Sequence, residues 1–328
     1  MRSISGIIRI CLVLALFVLS ASASGAEKPK NIILLIGDGM GVAHLTYSYL
    51  ALDGLNAERM PVGGLVRTFP LDGRLTESAA SGTAMATGHK TRNQMISISP
   101  DGDTLRTVYE YAEEHGMSTG LVSTSSITHA TPAVFVSHVV DRGMQAEIAK
   151  QVAGSGVDVI IGGGWAYFVP RNIQGSRRAD DLDLISILRE RMPVVRSIGE
   201  MNSLSGTASA AVFLAPRECP PAGEREYSLA DLTSKAIELL SAGEKGFILM
   251  VEGSQIDWAG HDKDREGTLS EMVDFDGAVG AALDFAEKDG RTLVIMTADH
   301  ETGGLSLQGS YEISNTEVRP EFSTGDHT

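Results

Sequence analysis

The chain contains 328 residues with a formal net charge of −15, and 43% of its residues are hydrophobic. This apolar content is sufficient for a large buried core, and the length allows one large domain or two small ones. The acidic balance argues against nucleic acid as a stable partner, because contacts to phosphate groups need clustered Lys and Arg.

The first 26 residues have the three-part pattern of a secretory signal peptide. Arg2 and Arg9 provide a basic start, residues 10–19 are all apolar, and residues 20–26 are small or polar. The alternative is a membrane anchor, but this apolar run is much shorter than the roughly 20 residues that a spanning helix needs. We therefore expect export to the periplasm or the extracellular space, and a mature chain, 27–328, that forms one domain without a membrane span.

Short apolar runs alternate with amphipathic stretches along the mature chain. The runs lack polar alternation, which is typical of strands buried on both faces of a parallel sheet. They are residues 31–36, 119–123, 157–162, 211–215, 247–251 and 293–297. Helical patterns occur at residues 104–114, 145–154, 182–191, 229–240 and 271–286. This alternation predicts an α/β fold, a three-layer sandwich in which helices cover both faces of a central, mostly parallel sheet.

Polar residues follow several of the predicted strands. In such sheets ligands bind outside the carboxyl ends of the strands, so these positions are candidates for chemistry. They are Asp38, Glu252, Asp299 and His300. Asp38 is flanked by glycines, which let the backbone turn sharply and approach a ligand closely, although Gly-Asp-Gly is often no more than a turn. Residues 171–178, in contrast, are expected to form a surface loop.

The segment 76–88 is dominated by small residues, and Ser78 stands where a helix would begin. A helix N-terminus offers free N–H groups and a positive partial charge, which favour a nearby anion or alkoxide. The alternative is that Ser78 only caps the helix, which is the commoner role of serine at this position. The many small residues favour close approach by a bulkier group, and hence a functional Ser78.

Two further pairs have the spacing of metal ligands. Asp257 and His261 are four residues apart, so a helix would place both on one face, where they can bind one ion or form a solvated ion pair. Asp299 and His300 are adjacent and can offer two ligands to one cation. Neither pair alone shows that these residues bind a metal ion, but their occurrence together with Ser78 and Asp38 favours a metal-dependent site.

Together these segments resemble those of the alkaline phosphatases, and they occur in the order found in that family. The resemblance extends from residue 31 to residue 328 and includes the segments 126–142 and 160–165. It implies a catalytic domain that hydrolyses small-molecule phosphate monoesters to an alcohol and inorganic phosphate through a phosphoserine intermediate. Ser78 would be the nucleophile, and Arg142 would hold the phosphoryl oxygens.

The resemblance also implies two zinc ions and one magnesium ion. The first zinc would be held by Asp38, Asp299 and His300, the second by Asp257, His261 and His327, and magnesium by Asp38, Thr131 and Glu252. Mixed imidazole and carboxylate ligands suit Zn²⁺, whereas a set made only of oxygens suits Mg²⁺, so the residue types agree with this assignment.

Three residues beside these positions depart from the pattern of familiar members. Glu77 stands where many members have an aspartate that orients the arginine, so a longer side chain must make that contact. His129 and Trp258 stand where the enterobacterial type has Asp and Lys. Imidazole makes Zn²⁺ or Co²⁺ an alternative to Mg²⁺ at the third site. Trp258 carries no charge, and we expect weaker binding of product phosphate than a lysine would give.

Two alternatives to a phosphomonoesterase remain open at this point. One is a phosphodiesterase or sulfatase-like hydrolase on the same scaffold, although sulfatases need a modified Cys or Ser in a motif that the segment around Ser78 lacks. The other is an inactive metal- or phosphate-binding fragment, because family members continue beyond the position of Thr328 into a further strand and helix. The resemblance is also compatible with a homodimer.

Overall fold

The computed structural model describes residues 28–52, 54–309 and 319–328, so the predicted signal peptide, 1–26, lies outside the described residues. The central sheet contains the strands β1 (Asn31–Gly37), β2 (Ser118–Ser126), β3 (Val159–Gly163), β4 (Val194–Val195), β5 (Ala210–Ala215), β6 (Phe247–Gly253) and β7 (Thr292–Ala298). They are hydrogen-bonded in the order β4–β5–β3–β2–β6–β1–β7, and every pair is parallel. A separate antiparallel pair consists of β8 (Leu305–Gln308) and β9 (Arg319–Phe322).

Helices connect these strands. They are α1 (Val42–Leu52), α2 (Ser78–Thr87), α3 (Val108–Glu114), α4 (Ala130–Ala133), α5 (Gln145–Gly154), α6 (Leu184–Arg189), α7 (Ile198–Ser203), α8 (Leu229–Leu240), α9 (Gln255–Asp262) and α10 (Arg265–Asp289), with short 3₁₀ turns at Asn56–Arg59 and Trp165–Tyr167. None of the described helices combines the length and the apolar character that crossing a bilayer would require.

The sheet separates two apolar cores. Because side chains alternate along a strand, Ile33 and Leu35 of β1 contribute to the core beneath α8 and α10, and Ile36 contributes to the core on the other face, beneath α2 and α5. The prediction of a three-layer α/β sandwich is therefore confirmed. All six predicted strands and all five predicted helices are present, and most differ from the prediction by small shifts at their ends. The first predicted helix begins four residues late, at Val108, where Thr107 caps it. The last helix begins six residues early, at Arg265, where Asp264 caps it through the N–H of Glu266.

The expectation that every strand is buried on both faces is wrong for β7. Its residues Leu293 and Ile295 are 42% and 39% exposed, respectively. Within the described residues β7 pairs with β1 alone and forms one edge of the sheet, so fewer elements pack against it.

The predicted surface loop at 171–178 is exposed for most of its length, but Arg178 at its end is buried. Its guanidinium makes a bidentate pair with Asp180, with both N–O distances at 2.7 Å. It also donates to the carbonyl oxygens of Ala146 at 2.8 Å and Tyr167 at 3.0 Å. The loop is thus anchored to α5 through an arginine that composition alone would place in solvent.

We expect Arg178→Ala to lower the free energy of unfolding by about 2 kcal/mol, because the buried guanidinium loses its charge-assisted hydrogen bonds to the carbonyl groups of Ala146 and Tyr167. Urea unfolding followed by circular dichroism measures this change. The matched control is Arg177→Ala, which removes an exposed neighbour and should change the value by less than about 0.5 kcal/mol. Equal effects of the two substitutions would contradict the anchoring role of Arg178.

Candidate functional site

Ser78 is the first residue of α2, and its hydroxyl faces the carboxyl edge of the sheet. Glu77, and not Ser78, caps the helix, because the Glu77 carboxylate accepts hydrogen bonds from the N–H groups of Ala79 and Ala80 at 3.0 Å. The Ser78 Oγ instead lies 3.4 Å from Oδ2 of Asp38 and 3.3 Å from Nε2 of His300. The capping alternative therefore does not describe this serine.

Asp38, Asp299 and His300 form a buried cluster where β1 and β7 end. The Nε2 atom of His300 lies 3.4 Å from Asp38 Oδ1 and 3.3 Å from Asp299 Oδ2. Both of these oxygens are buried, and neither accepts a hydrogen bond from any residue that the structure describes. Burial, followed by repulsion from Asp299, raises the pKa of Asp38 well above its usual value. Unpartnered carboxylate oxygens around an imidazole fit a divalent cation such as Zn²⁺.

Asp257, His261 and His327 form the neighbouring cluster. His261 Nε2 lies 3.4 Å from Asp257 Oδ2 and 3.2 Å from His327 Nε2. The Nδ1–H group of His261 donates to the carbonyl of Gly325 at 2.6 Å, which fixes the orientation of the ring. Burial raises the pKa of Asp257, but the hydrogen bond with His261 and attraction to His300 outweigh it and lower the pKa to about 2. The same hydrogen bond raises the pKa of His261 to about 9.

The two clusters are adjacent, and His300 contacts both. Ligand atoms within 4.8 Å of one another occur in two sets among the described residues, one made of Asp38, Asp299 and His300 and the other of Asp257, His300 and His327. His300 is common to both, and its ring centroid lies 4.2 Å from that of His327. His261 was predicted to belong to the second set, and it lies beside that set, in contact with Asp257 and His327.

The predicted magnesium ligands are arranged differently. Glu252 is the penultimate residue of β6 and does not follow the strand as predicted. Its Oε2 accepts hydrogen bonds from Ser123 at 2.6 Å and Ser125 at 3.3 Å. Burial raises the pKa of Glu252, and the hydroxyl groups of Ser123, Ser254 and Thr131 oppose that rise. Glu252 belongs to neither of the two ligand sets found among the described residues. A third ion bound by Asp38, Thr131 and Glu252 therefore stays a prediction.

Sequence analysis did not identify the serines beside Glu252. The available signal was the run of hydroxyl residues at 123–126, which is buried at the end of a central strand. Buried hydroxyl groups need hydrogen-bond partners, and a run of them indicates a polar group nearby.

Arg142 lines a cavity of about 620 Å³ together with Glu77, His129, His261 and His327. Its Nη1 donates to Oε2 of Glu77 at 2.5 Å, so the longer acidic side chain does reach the arginine. Gln94, which has a positive φ of 75°, donates its N–H to Glu77 Oε1 and accepts the N–H of Arg142, both at 2.8 Å. Burial raises the pKa of Glu77, but attraction to Arg142 and the backbone hydrogen bonds outweigh it, and the net shift is downward.

His129 and Trp258 lie against each other, with ring centroids 5.6 Å apart in an edge-to-face arrangement. Burial, and then repulsion from Arg142, lowers the pKa of His129 to about 4. The imidazole is therefore neutral at pH 7 and retains a nitrogen lone pair that can bind a metal ion.

The chain is similar to known proteins both in sequence and in structure. A family model described as alkaline phosphatase matches residues 29–325. Alkaline phosphatase 3 of Bacillus subtilis is 41% identical, and the match covers 92% of this chain and 67% of that protein. The structure of alkaline phosphatase from the Antarctic bacterium TAB5 has a TM-score of 0.85 at 37% identity, covering 92% of this chain and 89% of that one. A variant of the TAB5 enzyme in which a histidine is replaced by glutamate has Mg bound in a site called M3.

We expect Glu77→Gln to destabilise the chelator-treated protein by about 2 kcal/mol at pH 7, because Arg142 loses a buried charged partner. The folded-state pKa of Glu77 lies below its ordinary value of 4.5, so the carboxylate contributes stability above that value and loses it as the pH falls. Urea unfolding at pH 7, 5 and 4 should therefore show the difference between wild type and variant shrinking at low pH.

The control for this pH series is Glu224→Gln, which changes an exposed glutamate and should be close to wild type throughout. A Glu77→Gln difference that does not vary with pH would contradict the charged pair.

Proposed function

Since the chain belongs to the alkaline phosphatase family and hydrolyses phosphate monoesters, we propose that its reaction passes through a phosphoserine at Ser78. One observation carries the proposal. The Ser78 hydroxyl lies at the N-terminus of α2, within 3.4 Å of both Asp38 and His300, in a cluster that has two unpartnered buried carboxylate oxygens. A helix N-terminus stabilises an alkoxide and the phosphoryl group that it receives.

In the first step Ser78 Oγ gives up its proton and forms a bond to phosphorus while the bond to the ester oxygen breaks, and the leaving oxygen takes up a proton to become the alcohol. In the second step a water molecule gives up a proton and forms a bond to phosphorus, the bond to Ser78 Oγ breaks, the Ser78 oxygen takes up a proton, and inorganic phosphate leaves. Two successive in-line displacements give net retention of configuration at phosphorus. The planar fork of Arg142 holds two phosphoryl oxygens, and Glu77 holds Arg142 in place.

We further propose that the chain binds two zinc ions and one magnesium ion. Asp38, Asp299 and His300 would hold the first zinc, and Asp257, His261 and His327 the second. When bound, such ions lower the pKa of a hydroxyl group and stabilise charge on the entering and leaving oxygens. Asp38, Thr131 and Glu252 would hold the magnesium ion, because a set made only of oxygen ligands suits Mg²⁺. The neutral His129 keeps Zn²⁺ or Co²⁺ open as alternatives at that position.

The remaining expectations concern the whole protein. We infer that residues 27–328 form one catalytic domain, which the family match over residues 29–325 supports.

Export to the periplasm or the extracellular space is inferred from the pattern of residues 1–26, and nucleic acid is not expected as a stable partner because of the net charge of −15. A homodimer is the assembly that we would test first, by sedimentation. The diesterase and sulfatase alternatives are not favoured, because relatives at 33–41% identity are named as alkaline phosphatases.

Ser78→Ala should lower kcat by about 10³-fold or more, since the covalent route is lost. Incubation with labelled phosphate followed by an acid quench should trap label on the wild type and none on the variant. Ser81→Ala is the matched control, because it removes another buried hydroxyl from α2 that donates only to the Glu77 carbonyl. Label that persists in Ser78→Ala would exclude Ser78 as the nucleophile.

Removal of divalent ions should abolish turnover of a phosphomonoester. We expect dialysis against a chelator to inactivate the enzyme and zinc plus magnesium to restore it, with zinc alone restoring part of the rate, because the predicted zinc ligands surround Ser78. Elemental analysis of the restored protein should give two zinc ions and one magnesium ion per chain. Full activity in metal-free protein would contradict the proposal.

A further inference from the structure

Thr302 lies between the two predicted zinc clusters and contacts a ligand from each. It is fully buried, its Oγ1 donates to Asp257 Oδ1 at 2.5 Å, and the same oxygen lies 3.2 Å from Nδ1 of His300. No role was predicted for this residue from the sequence, although it lies two positions after His300. A valine side chain has nearly the same shape as threonine, so packing alone does not explain the hydroxyl group of Thr302.

The partners of Thr302 Oγ1 indicate the direction of its hydrogen bonds. A carboxylate that binds a metal ion can only accept, so the Thr302 hydroxyl gives its single proton to Oδ1 of Asp257. The lone pairs of Oγ1 are then left to accept the proton on Nδ1 of His300. Nε2 of His300 faces Ser78, Asp38 and Asp299, so it is the nitrogen left to bind a metal ion.

The backbone of Thr302 is held just as closely. Its N–H donates to the carbonyl of Gly39 at 3.1 Å, and it forms an isolated antiparallel bridge with His327. Gly39, with a φ of 70°, leaves room for the side chain, because a Cβ atom at this position would lie 2.9 Å from Thr302 Oγ1. Thr302 is therefore fixed against elements that carry ligands of both clusters.

We propose that Thr302 is a positioning residue that sets the tautomer of His300 and orients Asp257, so that both predicted zinc sites depend on one hydroxyl group. The proposal rests on the proposed function, because it assumes that these side chains bind metal ions. Hydrogen-bond partners of metal ligands typically change metal affinity by about 10- to 100-fold when they are removed.

The test compares Thr302→Val, which keeps the shape, with Thr302→Ser, which keeps the hydroxyl group. Chelator-treated proteins are titrated with Co²⁺ as the probe, and its visible absorption gives the affinities. We expect Thr302→Val to weaken Co²⁺ binding by about 10- to 100-fold and Thr302→Ser to stay within about 3-fold of wild type. The matched control is Thr233→Val, which removes the hydroxyl of another fully buried threonine that donates only to the Leu229 carbonyl of α8.

A second readout does not depend on metal binding. Nitrogen-15 NMR of the histidine side chains in metal-free protein reports which ring nitrogen carries the proton. The wild type and Thr302→Ser should show a proton on Nδ1 of His300, and Thr302→Val should show a smaller fraction of His300 rings with that proton. Wild-type affinity together with an unchanged His300 tautomer in Thr302→Val would overturn the proposal. Failure of the wild type itself to bind Co²⁺ would instead count against the proposed function.

Discussion

The concentration of carboxylates at one buried edge of the sheet is the constraint on which the site depends. Asp38, Asp299 and Glu252 lie at the ends of three adjacent parallel strands, and Asp257 lies on the helix that follows one of them. Burial and their mutual repulsion raise the pKa of Asp38. Charged oxygens without partners are costly in a protein interior, so ionisation of the whole cluster requires positive charge from bound cations. Metal binding and the stability of the fold are therefore coupled.

The distance between the two clusters is set by backbone packing. A Cβ atom on Gly39 would lie 2.8 Å from the Cα atom of Asp257, so only glycine allows the end of β1 to approach α9 this closely. Gly260 of the same helix packs against the carbonyl of Thr302, where a Cβ atom would lie 3.1 Å away. These two glycines let ligands from β1, α9 and the segment after β7 converge on one region. The glycine beside Asp38 thus has a packing role beyond forming a turn.

The sequence predicts those parts of the molecule that local patterns determine. Buried parallel strands have apolar runs, so β1 and β6 were predictable, and with them the positions of Asp38 and Glu252 near the strand ends. Capping of α2 by Ser78 was the alternative that the sequence left open, but the helix is capped by Glu77, because a glutamate can reach both the helix N–H groups and Arg142. That choice depends on Arg142, which is distant in sequence.

Long-range contacts account for the rest. Thr302 and Ser123 are ordinary hydroxyl residues in sequence, and their roles arise only when β7 and β2 bring them to Asp257 and Glu252. The family resemblance implied the pairing of His327 with His261, but the geometry depends on the bridge between residues 302 and 327. The exposure of β7 likewise follows from its place in the strand order, which no single segment encodes.

The charge around the cavity has a consequence for phosphate itself. Among the described residues that line it, Arg142 is the one Lys or Arg, while Glu77, Asp141 and Asp326 are acidic. His129 is neutral because burial and Arg142 lower its pKa, and Trp258 beside it carries no charge. The enterobacterial type has a lysine at the position of Trp258. A charged hydrogen bond contributes about 1.5–3 kcal/mol, so its absence here corresponds to roughly 10- to 100-fold weaker binding of phosphate. In the proposed mechanism, retention of the product therefore depends on the proposed cations more than on the Lys and Arg side chains of the cavity.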